Sequence, residues 1–180
     1  MKSILGIVAF SLVMAVTSAP ALADKYRDRS APISVAENFD LKRYLGLWYE
    51  IARFPNRFEK GCVGVTAEYR MRDDGKVAVI NSCKKGSLSA EAETIEGTAT
   101  VQGPAKLRVN FVSWLPFAAG DYWVLYVDAG YQFAVVGEPK GNTGWILARN
   151  KSISNAQLNK GLEVLAANGY DTAQMVRVQQ

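Results

Sequence analysis

A chain of 180 residues is long enough for one domain with a sizeable core, and 49% hydrophobic against 21% charged residues excludes intrinsic disorder. The formal net charge is +4, and Lys2 is the only charge before Asp24, so the rest carries +3 (4 − 1), too weak and too scattered for a nucleic-acid surface. Histidine is absent, which removes His-dependent triads, histidine bases and the commonest zinc and haem ligands, so no metal or cofactor is expected.

Residues 1–23 read as a signal peptide. Lys2 supplies the positive start, and Ile4 to Val16 form an apolar run shorter than the roughly 20 residues of a membrane span. Ala21-Leu22-Ala23 is a small-residue cleavage site before Asp24. No cysteine near that point offers a lipid acceptor, so the expectation is a soluble, exported, periplasmic protein. Cys62 and Cys83 are an even pair beyond the signal, expected as a disulfide, with two buried free thiols as the alternative.

Residues 24–38 are polar, contain Pro32 and show no period, so they form an arm before a domain of 39–180. Asp40 is placed to cap a short turn of helix carrying Leu41 and Tyr44. Gly46-Leu47-Trp48-Tyr49-Glu50 opens a strand that runs to Phe54, and Pro55 to Gly61 is a loop. Val63 to Tyr69 alternate, Asp73-Asp74-Gly75 is a hairpin signal, and Val77 to Asn81 return. Thr94 to Val101 and Leu107 to Phe111 alternate about the turn at Gly103-Pro104. Trp114-Leu115-Pro116-Phe117 is an apolar loop before an aromatic-rich strand from Tyr122 to Val127. A turn at 128–130 leads into a strand from Tyr131 to Val136, and a last one covers Trp145 to Arg149. Ser154 and Gln157 make a capping box for one helix, with Leu158, Leu162 and Leu165 on one stripe and Gly169 as its stop. The pattern predicts an all-β protein of eight antiparallel up-and-down strands with one C-terminal helix. A closed barrel around a small ligand and a two-sheet sandwich both satisfy it.

Gly46-Leu47-Trp48 resembles the motif that opens the lipocalin barrel, Asp128 to Tyr131 lies where that family carries its second motif, and Arg149 matches the third. Tyr49 to Pro55, Arg70 to Gly75 and Gly120 to Val124 resemble bacterial lipocalins and their plant and apolipoprotein D-like relatives, and the likeness spans the chain from Phe39 onward. Two departures stand out. Val127 replaces the usual threonine of the second motif, and the acceptor cysteine of lipoprotein relatives is missing, so membrane anchoring is not carried over. The resemblance implies an eight-stranded β-barrel with the helix packed outside. Gly46, Trp48, Asp128 and Arg149 become structural residues, with Arg149 stacked on Trp48 at a closed floor.

On that topology the loops at 55–61, 84–92, 114–120 and 138–143 share the open mouth. Leu107, Val109 and Phe111 are the firmest wall candidates, with Val65, Tyr69, Val79, Tyr122 and Val124 behind them and Phe54 and Trp114 near the mouth. Arg53, Arg57 and Lys60 are head-group candidates for a carboxylate or phosphate. Two-residue pairing across Asp74-Gly75 sets Cys62 opposite residue 87, about four residues from Cys83. That is too far for a disulfide at about 3.4 Å per residue, so a bulge or bent strand end is predicted.

The implied function is binding of a small lipophilic ligand, a fatty acid or lysophospholipid, stored or carried in the cell envelope for membrane maintenance. The loop at Trp114 to Phe117 reads as transient membrane contact, a homodimer surface or a cover over the cavity. An enzyme with a free cysteine nucleophile inside the barrel, and a protein-binding module using the mouth loops, are the alternatives.

Overall fold

The computed structural model describes residues 26–180, and the predicted signal segment lies outside them. The chain forms helix α1 (Leu41–Tyr44) and strands β1 (Gly46–Arg53), β2 (Cys62–Met71), β3 (Val77–Lys85), β4 (Ala92–Gly103), β5 (Lys106–Asn110), β6 (Gly120–Val127), β7 (Phe133–Gly137) and β8 (Gly144–Ala148). Helix α2 (Asn155–Ala167) and a short strand β9 (Val176–Arg177) follow. Strands β2 to β8 pair antiparallel in chain order, and β1 joins β8 on one side and β2 on the other. That double pairing closes an eight-stranded barrel and excludes the sandwich.

Both helices start as the sequence predicts. The Asp40 carboxylate accepts from Lys42 N at 2.8 Å, and Ser154 and Gln157 complete the capping box of α2. The α2 stripe buries Leu165 fully and leaves Leu158 and Leu162 half-buried against the barrel's outer face. Two apolar layers result. Tyr44, Trp48, Tyr69, Val79, Leu107, Val124, Val136 and Leu147 fill the interior. Ile51, Phe54, Leu125, Phe133, Val135, Ile146 and Leu165 lie between barrel, helix and arm. Strand β7 is buried at every position because its two faces serve both layers. The arm is packed: Arg27 is 3% exposed and its guanidinium donates to the carbonyls of Asn168, Pro139 and Ala31.

Three irregularities correct the expected strand pattern. The β2–β3 loop spans 72–76 rather than two residues, since Met71 pairs Val77. Between Val63 and Thr66 the register shifts, with Gly64 at φ +57°, a conformation that penalises a Cβ. Cys62 therefore falls opposite Lys85 instead of residue 87, and the predicted bulge brings its Cα to 5.4 Å from that of Cys83 in a disulfide. The strand expected from Tyr131 starts only at Phe133. Tyr131 sits at φ +55° in a turn held by Asp128, whose carboxylate accepts from Gln132 N and Phe133 N at 2.7 and 2.6 Å.

The tail closes a seam. β1 pairs with β2 only from Gly46 to Tyr49, and beyond that point β9 lies against Ala52 and Arg53. Gly64 N donates to Gln179 O, and the Gln180 amide donates to both Glu50 O and Val65 O. Residues 176–180 thus bridge the two strands where they part.

Candidate ligand-binding cup

The floor is built first from β1. Trp48 is fully buried and its indole N–H donates to Tyr44 O at 2.8 Å. Arg149 lies 3.8 Å from the ring centroid and donates to the carbonyls of Arg43, Tyr44, Leu45, Leu47 and Tyr131. A cation over an indole is favourable by about 0.5–2 kcal/mol, and the same guanidinium ties the entering chain to the start of β1. Above the indole, Tyr44 and Tyr69 each share a 2.7 Å hydrogen bond with the Tyr122 hydroxyl. Burial pushes all three phenols above the ordinary value. The lower half of the barrel is solid.

Toward the mouth the inward side chains are less completely buried. Ala67 pairs Asn81 and Asn81 pairs Ile95, and all three share the inner face with Tyr69, Val79 and Gly97. Ile95 is nonetheless 54% exposed, as an inward residue is only at an open mouth. Phe111 lies over Gly97, where an added Cβ would come 2.6 Å from the ring. Trp145 faces inward from β8 and stacks on Tyr122 at 6.2 Å between centroids. Val109 and Tyr122 mark the depth at which the wall gives way to the packed floor.

One wall is polar. Glu50 lies two residues past Trp48, opposite Leu147, and is 4% exposed. The β1–β8 register shifts between Glu50 and Ala52, so Arg53 comes inward opposite Trp145. Its guanidinium donates to Glu50 Oε1 at 2.7 Å and to the carbonyls of Glu59 and Cys62. Glu59 folds in from the first mouth loop and accepts from Trp145 Nε1 at 3.2 Å and from Asn56. Burial, then the neighbouring Glu59 carboxylate, hold the Glu50 carboxyl well above the usual range, against the pull of Arg53.

Seven of the expected wall residues come together: Tyr69, Val79, Leu107, Val109, Tyr122 and Val124 in the interior cluster, with Phe111 against it. Val65 packs instead with the disulfide and Val178 of the tail. Phe54 is a correction. The β1 bulge inverts the alternation, so Phe54 points outward between Tyr26 and Tyr170. The same bulge turns Arg53 from a free head-group candidate into a saturated one. Arg57 and Lys60 are exposed on the mouth loop. Trp114 and Phe117 are 78% and 79% exposed, so they do not cover the cavity. Glu50, Glu59, Asn81, Ile95 and Trp145 were not singled out. Only Glu50 carried a signal, a carboxylate in step with Trp48 on an apolar strand.

Comparison with known proteins agrees with this geometry. Residues 39–180 match the Lipocalin-like domain family. Outer membrane lipoprotein Blc of Escherichia coli K12 is 41% identical over 151 residues, covering 82% of this chain and 83% of that protein. Temperature-induced lipocalin-1 of Arabidopsis thaliana is 35% identical over 157 residues, covering 82% and 83%. Apolipoprotein D of Macaca fascicularis is 33% identical over 156 residues, covering 81% and 79%. Among solved structures, insecticyanin of Manduca sexta superposes with a TM-score of 0.64 at 20% identity, covering 83% of this chain and 86% of that one, a likeness of fold. With the closed barrel, the Trp48–Arg149 floor and this domain match together, the chain belongs to the lipocalin family.

Proposed function

We propose that the protein takes up a single-chain lipid, a fatty acid or lysophospholipid, in its cup and stores or carries it within the cell envelope to maintain membranes under stress. Membership of the lipocalin family supports a small hydrophobic ligand. The observation that carries the proposal is the incomplete burial of the inward side chains Ile95, Phe111 and Trp145 above a fully packed floor. Each methylene buried there is favourable by about 0.8 kcal/mol. An envelope location is supported by the signal-like N-terminus, by the Cys62–Cys83 disulfide, which suits an oxidising compartment, and by the outer membrane lipoproteins among the relatives. A carrier is favoured over an enzyme because the cysteine nucleophile of that alternative is tied up: both sulfurs are bonded to each other.

The test is native mass spectrometry after incubation with a lipid extract. A bound species of single-chain lipid mass is expected, and a protein that stays ligand-free across neutral and acidic lipids overturns the proposal. A second element rests on the rim. Phe58, Leu88, Trp114 and Phe117 are exposed at the mouth end beside Arg57 and Lys60, a composition suited to transient contact with a lipid surface from which cargo is taken. A homodimer through the same loop is the competing use.

A further inference from the structure

The first mouth loop puts a carboxylate of the protein's own into the barrel. Trp145 Nε1 and the Asn56 side-chain amide both donate to a single oxygen of Glu59, Oε2, the indole from 3.2 Å. Trp145 faces the interior, where its ring stacks on Tyr122, and it lies opposite Arg53 in the β1–β8 register. Two donors converging on one oxygen, in a cluster that contains a guanidinium, form a receptor for an oxyanion from any source.

The Glu59 carboxylate neither balances Arg53 nor ties down the end of its loop. Arg53 Nη1 is paired with Glu50 Oε1 at 2.7 Å, and Nη2 donates to the carbonyls of Glu59 and Cys62 at 3.0 and 3.2 Å, so the loop is held there through its backbone. A second backbone tie runs from Glu59 N to Asn56 Oδ1 at 2.9 Å. The Glu59 side chain instead adds another carboxyl to a cluster in which Arg53 is already paired, and it helps hold the Glu50 carboxyl above the usual range. An anion is thus kept in the barrel against the repulsion of its neighbour, on donors that suit the anion of a ligand equally well.

Resting on the lipid-carrier proposal, we infer that Glu59 is an internal stand-in for the ligand's head group: the carboxylate of a fatty acid or the phosphate of a lysophospholipid displaces it and takes the donors of Trp145 and Asn56. The acyl chain then lies against the incompletely buried inward side chains Ile95 and Phe111. Arg53 keeps its bonds to Glu50, Glu59 O and Cys62 O and acts through its charge. Glu59 turns out to solvent beside Arg57 and Lys60, which are exposed on the same loop. A neutral ester offers a weaker acceptor than either anion and does not dislodge a carboxylate. Competition with the protein's own anion lowers apparent affinity by the fraction of molecules whose donors are free, so Glu59 sets a threshold that charged head groups pass.

Carbodiimide labelling of carboxyls, with reagent in excess over lipid and peptide mass spectrometry as readout, follows Glu59 directly in the unaltered protein. Three probes carry the same twelve-carbon acyl group: dodecanoate, lauroyl lysophosphatidylethanolamine and methyl dodecanoate. Labelling of Glu59 is expected to rise several-fold when an anionic probe is bound and to stay unchanged with the methyl ester. A rise with one of the two anions alone assigns the site to that head group. Bound anions that leave Glu59 as protected as in the free protein overturn the inference, and so does an equal rise with the methyl ester. Glu59→Ala is the second arm: with the stand-in gone, the displacing anion should bind about ten-fold tighter by native mass spectrometry, and the methyl ester should stay within about two-fold. If Glu59 is only an anchor for its loop, the variant binds all the probes equally well or more weakly, which also overturns the inference. The labelling result stands whether or not the variant folds. Binding of none of the three probes overturns the lipid-carrier proposal itself, an outcome distinct from binding with Glu59 still in place.

Discussion

Glu50 carries an ionisable group into the barrel at the one level where apolar floor meets open cup. Its carboxyl is held well above the ordinary 4.5, first by burial and then by Glu59, while the unfolded chain releases its proton near that ordinary value. At acid pH both states are protonated and the residue contributes no pH dependence. As pH rises past about 4.5 the unfolded state binds fewer protons than the folded one, so this group lowers stability progressively until the raised folded value is passed. Glu50→Gln keeps an acceptor for Arg53 and donates to Glu59 without a titration. Urea midpoints should be similar for the two proteins at pH 4.5 and should move in favour of the variant by pH 8; parallel stability curves would sink this account. Glu50→Ala, in contrast, strands the buried Arg53 charge and should cost about 3–5 kcal/mol.

Among the elements, β2 depends most on its connections. Its mouth half leaves β1 and is held by the tail through Gly64 N and Val65 O, while the disulfide links its first residue to β3. Cys62 and Cys83 are 21 residues apart, so the cross-link restricts a loop of moderate size and contributes about 3 kcal/mol through the unfolded state. Reduction, or Cys83→Ser with Cys62→Ser, should lower the unfolding free energy by about that amount and leave the floor intact. In hydrogen exchange the amides of 62–66 and 178–180 should lose protection before those near Trp48. Equal loss at both ends of the barrel would show that the seam is not a separate unit.

For the whole molecule, one end of the barrel is sealed by Trp48 and Arg149 and the other carries large exposed side chains. Trp114 and Phe117 touch little of the protein, so replacing both by Ser should change stability by no more than about 0.5 kcal/mol. If the rim meets a lipid surface, that double variant should co-sediment with vesicles several-fold less than the unaltered protein, and its state in solution should not change. Unchanged vesicle binding together with loss of a dimer by light scattering would assign the loop to self-association instead.

Short-range chemistry by itself determined much of this protein. Eight alternating segments, the Asp40 and Ser154 caps and the glycine before Trp48 each act within a few residues, and the strands and both helices follow from them, whereas closure into a barrel rather than a sandwich rests on β1 pairing with both β8 and β2. Alternation also placed Leu107, Val109, Tyr122 and Val124 inside, because the strands carrying them stay regular between those positions. Tertiary structure alone decided the mouth. A single inserted residue reverses every side chain beyond it, and whether a strand takes one depends on the partner it pairs with. The bulge after Glu50 sent Phe54 outward and Arg53 inward, and the one at Gly64 let Cys62 reach Cys83. The tail then bridged the seam between β1 and β2. The tail's pairings join residues more than a hundred positions apart, whereas the cation that looked free in the sequence is saturated by Glu50, Glu59 and Cys62, near it in the chain but brought round it only by the bulge.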